Sequence, residues 1–227
     1  MTLSALRFSR GLLRGVALLL VASAGLAGLA ACGAPQYTYV ADSPAHAYFK
    51  VPSGWRAVSA TALANALKMG GSDAWLSAYG QDSATASPGS VYSFDVGKPF
   101  LLAEVGGLNS QATDSLSYNA LTDIFLPVTS TARSQAQGQL PVTNFQLLRQ
   151  SMLTPGQGVH GVRVTYDYTW TDGAAKGSTD TFDQVALTNA NQTVLYLLIL
   201  HCTSACYSHN KNAINDIMSS FTVRSPL

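Results

Sequence analysis

Residues 192–200 read QTVLYLLIL, and from Val194 to Leu200 apolar side chains fill both alternating sets of positions. Successive side chains of a β-strand point to opposite faces of its sheet. A strand that is apolar on both faces has to be covered on both faces. The run therefore predicts a central strand, with a layer of structure on each side of the sheet.

The segments before this run predict antiparallel neighbours for it. Residues 161–170, GVRVTYDYTW, alternate with a period of two. One face carries Val162, Val164, Tyr166, Tyr168 and Trp170, and the other carries Arg163, Thr165, Asp167 and Thr169. Residues 144–153 (NFQLLRQSML) and 179–188 (TDTFDQVALT) predict two further strands, and turn residues separate the last of these from the central run.

Acidic residues gather around the turn that follows Trp170. They are Asp167, Asp172, Asp180 and Asp183. Paired carboxylates can perform acid–base chemistry or bind calcium, but charges that flank a turn are usually hydrated. We expect these four side chains to be solvated.

The first part of the domain predicts a strand followed by helices. Residues 45–55, AHAYFKVPSGW, alternate and then break at Pro52-Ser53-Gly54. Ser59 is placed to cap a helix that continues through Leu67. The spacing of Trp75, Leu76 and Tyr79 predicts a second short helical piece.

The later helices complete the fold class. Asp114 is expected to cap a helix that ends before Pro127, and the polar residues 128–139 are expected to form a loop. A closing helix over residues 208–219 places Ile214 and Ile217 on one side. The order predicts an α+β fold, an antiparallel β-sheet flanked by helices, in a single domain.

The N-terminus predicts export and lipid attachment. Three arginines precede a small-residue, uncharged stretch, which is typical of a secretory signal peptide over residues 1–31. The ending Leu29-Ala30-Ala31-Cys32 resembles the bacterial lipobox, in which the cysteine receives acyl chains and becomes the first residue. The resemblance implies lipidation of Cys32, a tether over residues 32–44, and a domain over residues 45–227.

The charge balance limits the partners. Three of the 13 Lys and Arg residues and none of the 12 Asp and Glu residues lie within residues 1–31, so the remainder carries a net charge of −2. A nucleic-acid-binding protein needs a basic face, and this balance does not indicate one. No polybasic run is present to hold anionic lipid, so attachment to the membrane is expected to depend on the acyl chains.

Two short motifs resemble a known family. The first is Pro52-Ser53-Gly54-Trp55, at the end of YFKVPSGW, and the second is Ser220-Phe221-Thr222-Val223, after the closing helix. Together they are similar to the PsbP/Mog-type α/β/α sandwich carried by actinobacterial LpqN-type lipoproteins. That resemblance implies an envelope protein with a binding or accessory role, and it supplies no catalytic residues.

The pair Cys202 and Cys206 has more than one interpretation. Outside the cytoplasm a close pair normally oxidises, so a structural disulfide across a strand-to-helix turn is expected. The alternative is a metal-binding or redox site formed with His201 or His209, because thiolates and imidazoles are zinc and copper ligands.

Four residues are candidates for facing a ligand. Tyr166, Tyr168 and Trp170 form an aromatic sheet face that can line a groove for an envelope glycolipid or another apolar ligand, or can be plain core. Glu104 is the only glutamate, within PFLLAEVGG, and a buried carboxyl there would mark a site.

These observations predict a lipid-anchored protein on the extracytoplasmic side of the cell membrane. We expect a non-catalytic binding or accessory module of the cell envelope, monomeric, without a cofactor and without an enzymatic site. The alternatives are a carrier of glycolipid and a metal-binding or redox protein.

Overall fold

The structure, a computed structural model, describes residues 36–44, 46–68, 74–91 and 97–224. Within them the strands are β1 Tyr37–Asp42, β2 Ala47–Pro52, β3 Arg56–Ala57, β4 Trp75–Gly80, β5 Phe100–Gly107, β6 Val142–Gly156, β7 Val159–Trp170, β8 Thr179–Thr188, β9 Val194–Thr203 and β10 Thr222–Val223. The α-helices of the same residues are α1 Ala60–Ala66, α2 Ser110–Ser115, α3 Tyr118–Thr122, α4 Ser130–Gln135 and α5 Ser204–Ser219. None of these described helices has the length and hydropathy needed to cross a bilayer.

Strand β9 holds the central position that its sequence predicts. The larger sheet has the order β3-β4-β5-β9-β8-β7-β6, and every neighbouring pair is antiparallel. Leu198 and Leu200 are completely buried, and so is Ile199 on the opposite face apart from 1% of its surface. The apolar character of both faces of β9 therefore reflects cover on both sides.

Helix α5 and a smaller sheet cover one side, which we call the α5 face. Strands β1, β2 and β10 form that smaller sheet, in the order β1-β2-β10. Leu198 and Leu200 of β9 share a core with Ile214 and Ile217 of α5 and with Phe49 of β2. The apolar stripe of α5 and the alternating face of β2 thus bury the same side of the sheet.

Short helices and their connections cover the other side, which we call the short-helix face. Leu63 of α1 packs on β4 and β5, Leu121 of α3 packs on β7 and β9, and Leu126 and Val128 pack on β7 and β8. The sheet lies between two layers, so the predicted α+β class, an antiparallel sheet flanked by helices, is confirmed.

The prediction of a helical piece at Trp75 is wrong. Trp75–Gly80 is strand β4, in which Leu76, Ala78 and Gly80 are buried and the alternate residues are half-buried. Its buried face consists mostly of small residues, so the period of two carried little hydrophobic signal. The strand pairs antiparallel with β5 along its whole length.

Helix boundaries in the middle of the chain also differ from the prediction. The region expected as one helix capped by Asp114 is α2 and α3, capped by Asn109 and Ser117. The expected loop 128–139 contains α4, whose cap Thr129 accepts a hydrogen bond from the Ala132 amide at 3.2 Å. Asp123 accepts three hydrogen bonds from residues 128 and 129, each 2.7 Å long, and so fixes the start of a helix that composition alone did not indicate.

The closing helix begins four residues earlier than predicted. Thr203 is its N-cap, and its hydroxyl accepts from the Cys206 amide at 3.3 Å. The helix therefore starts directly after β9, and Cys206 lies in its first turn.

Candidate functional site

Of the predicted site residues, Cys32 and the signal peptide 1–31 lie outside the described residues. Cys202 and Cys206 form a disulfide, with Cα atoms 5.9 Å apart, that joins the end of β9 to the first turn of α5. A separation of 5.5 to 6 Å, roughly, is the usual one for a disulfide. The pair therefore connects the central strand to the helix that covers it.

The two histidines of the alternative metal site do not join the cysteines. His201 lies on the short-helix face, between the rings of Phe100 (tilted, centroids 5.6 Å apart) and Phe182 (stacked, centroids 5.5 Å apart). Burial lowers the pKa of His201 to about 4, while His209 is exposed on α5. Among the described residues, no group of three or more His, Cys, Asp or Glu side chains is arranged to hold a metal ion.

The aromatic face predicted to contact a ligand is mostly core, which corrects the ligand-facing assignment for Tyr166 and Trp170, whereas Tyr168 also lines a hollow of 210 Å³ with Arg133 and Phe145. Tyr166, Tyr168 and Trp170 are 0%, 3% and 5% exposed, beneath Leu126 and Val128. Tyr168 and Tyr166 begin a row of ring contacts across the sheet: Tyr168 to Tyr166, Tyr166 to Phe182, Phe182 to His201 and His201 to Phe100. Cross-strand register places these rings side by side, so the pattern stabilises the sheet.

Two hydroxyl groups in this row differ in their partners. The Tyr168 hydroxyl donates to the carbonyl of Pro127, and burial raises the pKa of Tyr168 to about 12. The Tyr166 hydroxyl is buried and has no hydrogen-bond partner among the described residues.

Glu104 lies on the short-helix face of β5, opposite Leu76 of β4 and Leu197 of β9. Its side chain is partly buried, and this burial raises the pKa of its carboxyl. Glu104 therefore lies between apolar neighbours. No hydrogen bond among the described residues joins it to the hydroxyl groups of Tyr166 and Tyr168 or to the cysteines.

The acidic residues near the hairpin are not all solvated, contrary to expectation. Asp180 and Asp183 are completely buried, whereas Asp172 is exposed. Asp180 accepts a hydrogen bond from the Trp170 indole at 3.0 Å. Asp183 lies on the α5 face and has a charged partner, Arg163.

Arg163 and Asp183 form a two-point ion pair between β7 and β8. Nε and Nη2 of Arg163 donate to the two carboxylate oxygens of Asp183 at 2.9 and 2.8 Å. Only 6% of the Arg163 side chain and none of the Asp183 side chain are exposed. Burial lowers the pKa of Arg163, but the hydrogen bonds and charge of Asp183 raise it by more, so the guanidinium stays charged.

Helix α5 completes this polar network. Tyr207 donates to Asp183 at 2.8 Å, and burial, together with the Asp183 charge, raises the pKa of Tyr207. Nη1 of Arg163 donates to Asn215 and Ser219, at 3.2 Å in both cases. The network therefore links α5 to β7 and β8 at the margin of the helix.

Beyond that margin, toward the edge strand β6, the α5 face of the sheet has no helix over it, and this surface forms what we call the α5–β6 groove. It consists of two adjoining hollows, of 420 and 350 Å³, and Arg149 and Arg163 line both. The larger hollow is lined by seven apolar residues (Met152, Leu153, Pro155, Val185, Leu187, Met218 and Phe221) and by the polar residues Arg149, Thr154, Arg163 and Ser219. The smaller hollow is polar and cationic, lined by Thr165, Tyr207, Lys211, Asn212 and Asn215 beside Leu148.

The charges around the groove have one sign. Arg149 and Lys211 are exposed, and neither has an ion-pair partner among the described residues. Neither hollow has an acidic residue in its lining. Because Asp183 compensates Arg163, the groove has two uncompensated positive charges at its polar end.

Sequence reasoning missed this groove, although one signal for its floor was present. A sheet covered on both sides cannot leave Arg163 in water if Arg163 is near the middle of its strand. The alternation places Arg163 on the other face of β7 from Val162 and Val164, so its buried charge implied a buried partner. The identity of that partner, Asp183, depends on the β7–β8 register, in which Thr165 lies opposite Asp183 and Arg163 opposite Val185.

Comparison with known proteins yields structural neighbours alone. No protein-family model matches the chain, and no curated protein matches it. Similar solved structures include the PsbP protein CyanoP from Synechocystis (18% identity, 86% of this chain and 96% of that one, TM-score 0.48). They also include LpqN of Mycobacterium tuberculosis, described as involved in cell envelope biogenesis (18% identity, 84% and 91%, TM-score 0.45).

A third neighbour is a Pseudomonas aeruginosa protein of unknown function (16% identity, 85% of this chain and 100% of that one, TM-score 0.42). Structures of a PsbP protein and of LpqN, the two kinds of protein that the end motifs resemble, are thus among those similar to this chain. Similarity at this level carries no information about ligand or activity, which have to be argued from the residues of this chain.

Proposed function

We propose that this protein is a lipid-anchored accessory protein on the extracytoplasmic side of the cell membrane, and that it binds a ligand without transforming it. The leader over residues 1–31, with Cys32 at the lipobox position, supports the location. The disulfide between Cys202 and Cys206 suits the same compartment, because disulfides persist where the environment is oxidising.

One observation carries the binding role, namely the α5–β6 groove with its apolar and cationic ends. Ligand sites are typically concave, mostly apolar and equipped with a few placed polar groups, in volumes of about 300 to 1,000 Å³. Both hollows fall in that range.

The buried network beside the groove supports a structural role over a catalytic one. The Asp183 carboxylate already accepts three hydrogen bonds, two from Arg163 and one from Tyr207. A carboxylate held in this way is a poor general base, because its lone pairs are occupied and its charge is compensated.

The location is tested by metabolic labelling of the full-length protein with a clickable palmitate analogue, followed by membrane fractionation. We expect the wild-type protein to be labelled and to sediment with membranes, and Cys32→Ala to lose both properties. The matched control, with Cys202→Ala and Cys206→Ala together, keeps Cys32 and should keep the label. A labelled, sedimenting Cys32→Ala protein would refute the anchor.

A further inference from the structure

We infer that the α5–β6 groove binds an anionic amphiphile, a molecule with one apolar chain and a carboxylate or phosphate monoester headgroup. This inference gives a ligand class to the proposed binding function and rests on it. The apolar hollow would hold the chain, and the cationic hollow would hold the headgroup.

The apolar hollow has a buried floor and an exposed rim. Val185, Leu187 and Met218 form the floor and are 3%, 2% and 2% exposed. Leu153, on the edge strand β6, forms part of the rim and is half-buried against the core of the α5 face. An alkyl chain lying on this floor would remove its own apolar surface from water against Val185, Leu187 and Met218, which favours binding.

The cationic hollow offers positively charged hydrogen-bond donors, and no carboxylate in its lining competes for them. Arg149 and Lys211 approach it from opposite sides, one from β6 and one from α5. Asn212 and Asn215 add amide groups beside them. Charged donors and the absence of lining carboxylates favour an oxyanion, because charge-assisted hydrogen bonds are the stronger kind.

Arg163 lies at the junction of the two hollows. It lines both hollows, and its guanidinium is fixed by Asp183 on one side and by Asn215 and Ser219 on the other. We assign it a positioning role, since its charge is already compensated. The headgroup charge is therefore matched by Arg149 and Lys211.

A protein segment fits the same surface less well. An extended peptide that joins the sheet pairs with the outer backbone edge of β6, whereas the hollows open on the face of the sheet beside α5. A second copy pairing through β6 would bring together two strands whose one charged residue is Arg149, and like charges across strands are destabilising.

The experiment is photolabelling of the full-length protein in its native membrane with a diazirine derivative of dodecanoate. Chymotryptic peptide mapping is used, because variants at Arg and Lys change tryptic cleavage. We expect label on β6 and α5, at residues that line the apolar hollow. Unlabelled dodecanoate and dodecyl phosphate should compete, and their relative strength distinguishes a carboxylate from a phosphate ligand.

Uncharged and cationic competitors provide the first control. Dodecanol and dodecyltrimethylammonium have the same chain, and we expect them to compete at least about tenfold more weakly, since they cannot use the charge-assisted bonds. The variant with Arg149→Gln and Lys211→Gln should label at least about tenfold more weakly as well. Lys176→Gln, an exposed charge on the β7–β8 turn, should label like the wild type.

Three results would overturn the inference: no label on β6 and α5, equal competition by the cationic amphiphile, or undiminished labelling of the double variant. Protection of the β6 backbone edge by an acidic protein, without competition by the amphiphiles, would also overturn it. The lipid anchor is tested separately from the groove. Cys32→Ala leaves the groove intact, so this variant should be photolabelled even when it is released from the membrane.

Discussion

The ion pair between Arg163 and Asp183 allows a sharp test of what holds α5 on the sheet. Asp183→Asn keeps the shape of the side chain and removes its charge. Arg163 then remains buried with 6% of its side chain exposed and without a charged partner. The Tyr207 hydroxyl keeps at most a neutral acceptor in place of a carboxylate.

The expected loss of unfolding free energy follows from these contacts. Breaking a buried ion pair by removing one partner costs about 3 to 5 kcal/mol, because the remaining charge is not compensated. Exposure of the pair is too small for water to replace the lost carboxylate charge. We therefore expect Asp183→Asn to lose about 3 kcal/mol and Tyr207→Phe, which removes one bond to the carboxylate, to lose about 1.5 kcal/mol.

The assay is urea unfolding of the full-length protein in fixed detergent, monitored by circular dichroism. The double variant Arg163→Met with Asp183→Leu removes both charges, and it should be close to wild type, since apolar replacements of a whole buried pair are often neutral or stabilising. Asp172→Asn is the matched control, an exposed aspartate on the same hairpin. It should change the unfolding free energy by less than about 0.5 kcal/mol.

The reasoning would be refuted if Asp183→Asn lost less than about 1 kcal/mol, or if the double variant were no more stable than Asp183→Asn alone. Either result would mean that the pair is compensated by water or by another group. A coupling energy near zero in the cycle of Arg163→Met, Asp183→Leu and their double variant would lead to the same conclusion.

Three further predictions concern the core, the isolated glutamate and the disulfide. Tyr166→Phe should stabilise the protein by up to about 1 kcal/mol, since it removes a buried hydroxyl without a described partner, whereas Tyr168→Phe should destabilise it by about 1 kcal/mol, both measured by urea unfolding. Glu104 has a raised pKa in the folded state, so its contribution to stability is greatest below its ordinary pKa of 4.5 and is lost as the pH rises through the folded value. Glu104→Gln should therefore stabilise the protein at pH 7, by no more than about 1 kcal/mol for a partly exposed group, and should flatten the unfolding free energy measured across this pH range. Replacing Cys202 and Cys206 by serine should lower stability by about 2 kcal/mol, as expected for a short closed loop, and calorimetry with and without reductant measures this loss.

Each of these has a contradictory outcome. Equal effects at Tyr166 and Tyr168 would show that their hydroxyl groups have equivalent environments. A Glu104→Gln protein that is less stable than wild type at pH 7 would show that the ionised carboxylate is stabilised in the folded state. A wild-type protein whose stability does not change with reductant, or a serine variant as stable as the oxidised wild type, would contradict the disulfide.

The position of the α5–β6 groove follows from which surface the fold leaves open. The aromatic residues of β7 face the short helices and are covered by them. On the α5 face, the helix lies over β8 and β9, and β6 and β7 extend past its margin. The amphipathic surface therefore lies beside α5, on residues such as Leu153 and Met218, instead of on the aromatic face.

Much of the architecture could be predicted from local patterns. The alternation of β7, the two apolar faces of β9, the Ser59 cap and the helical stripe of Ile214 and Ile217 all match the structure, because each depends on side chains within a few residues. The errors occur where the helical and strand periodicities of apolar residues conflict, or where both are weak. Strand β4 alternates with alanine and glycine, and α4 is polar on its exposed side, so neither offered a hydrophobic signal.

By itself, the sequence determined the class of fold, the central strand, the covered faces and the closeness of Cys202 to Cys206, since these depend on side-chain periodicity and short chain separation. Only the tertiary structure decided that Arg163 pairs with Asp183, that the tyrosines of β7 are core, and that Arg149 and Lys211 meet across one groove. These residues are brought together by strand register and by the angle of α5 on the sheet. Register and helix placement are set by packing between distant segments, which no local pattern encodes.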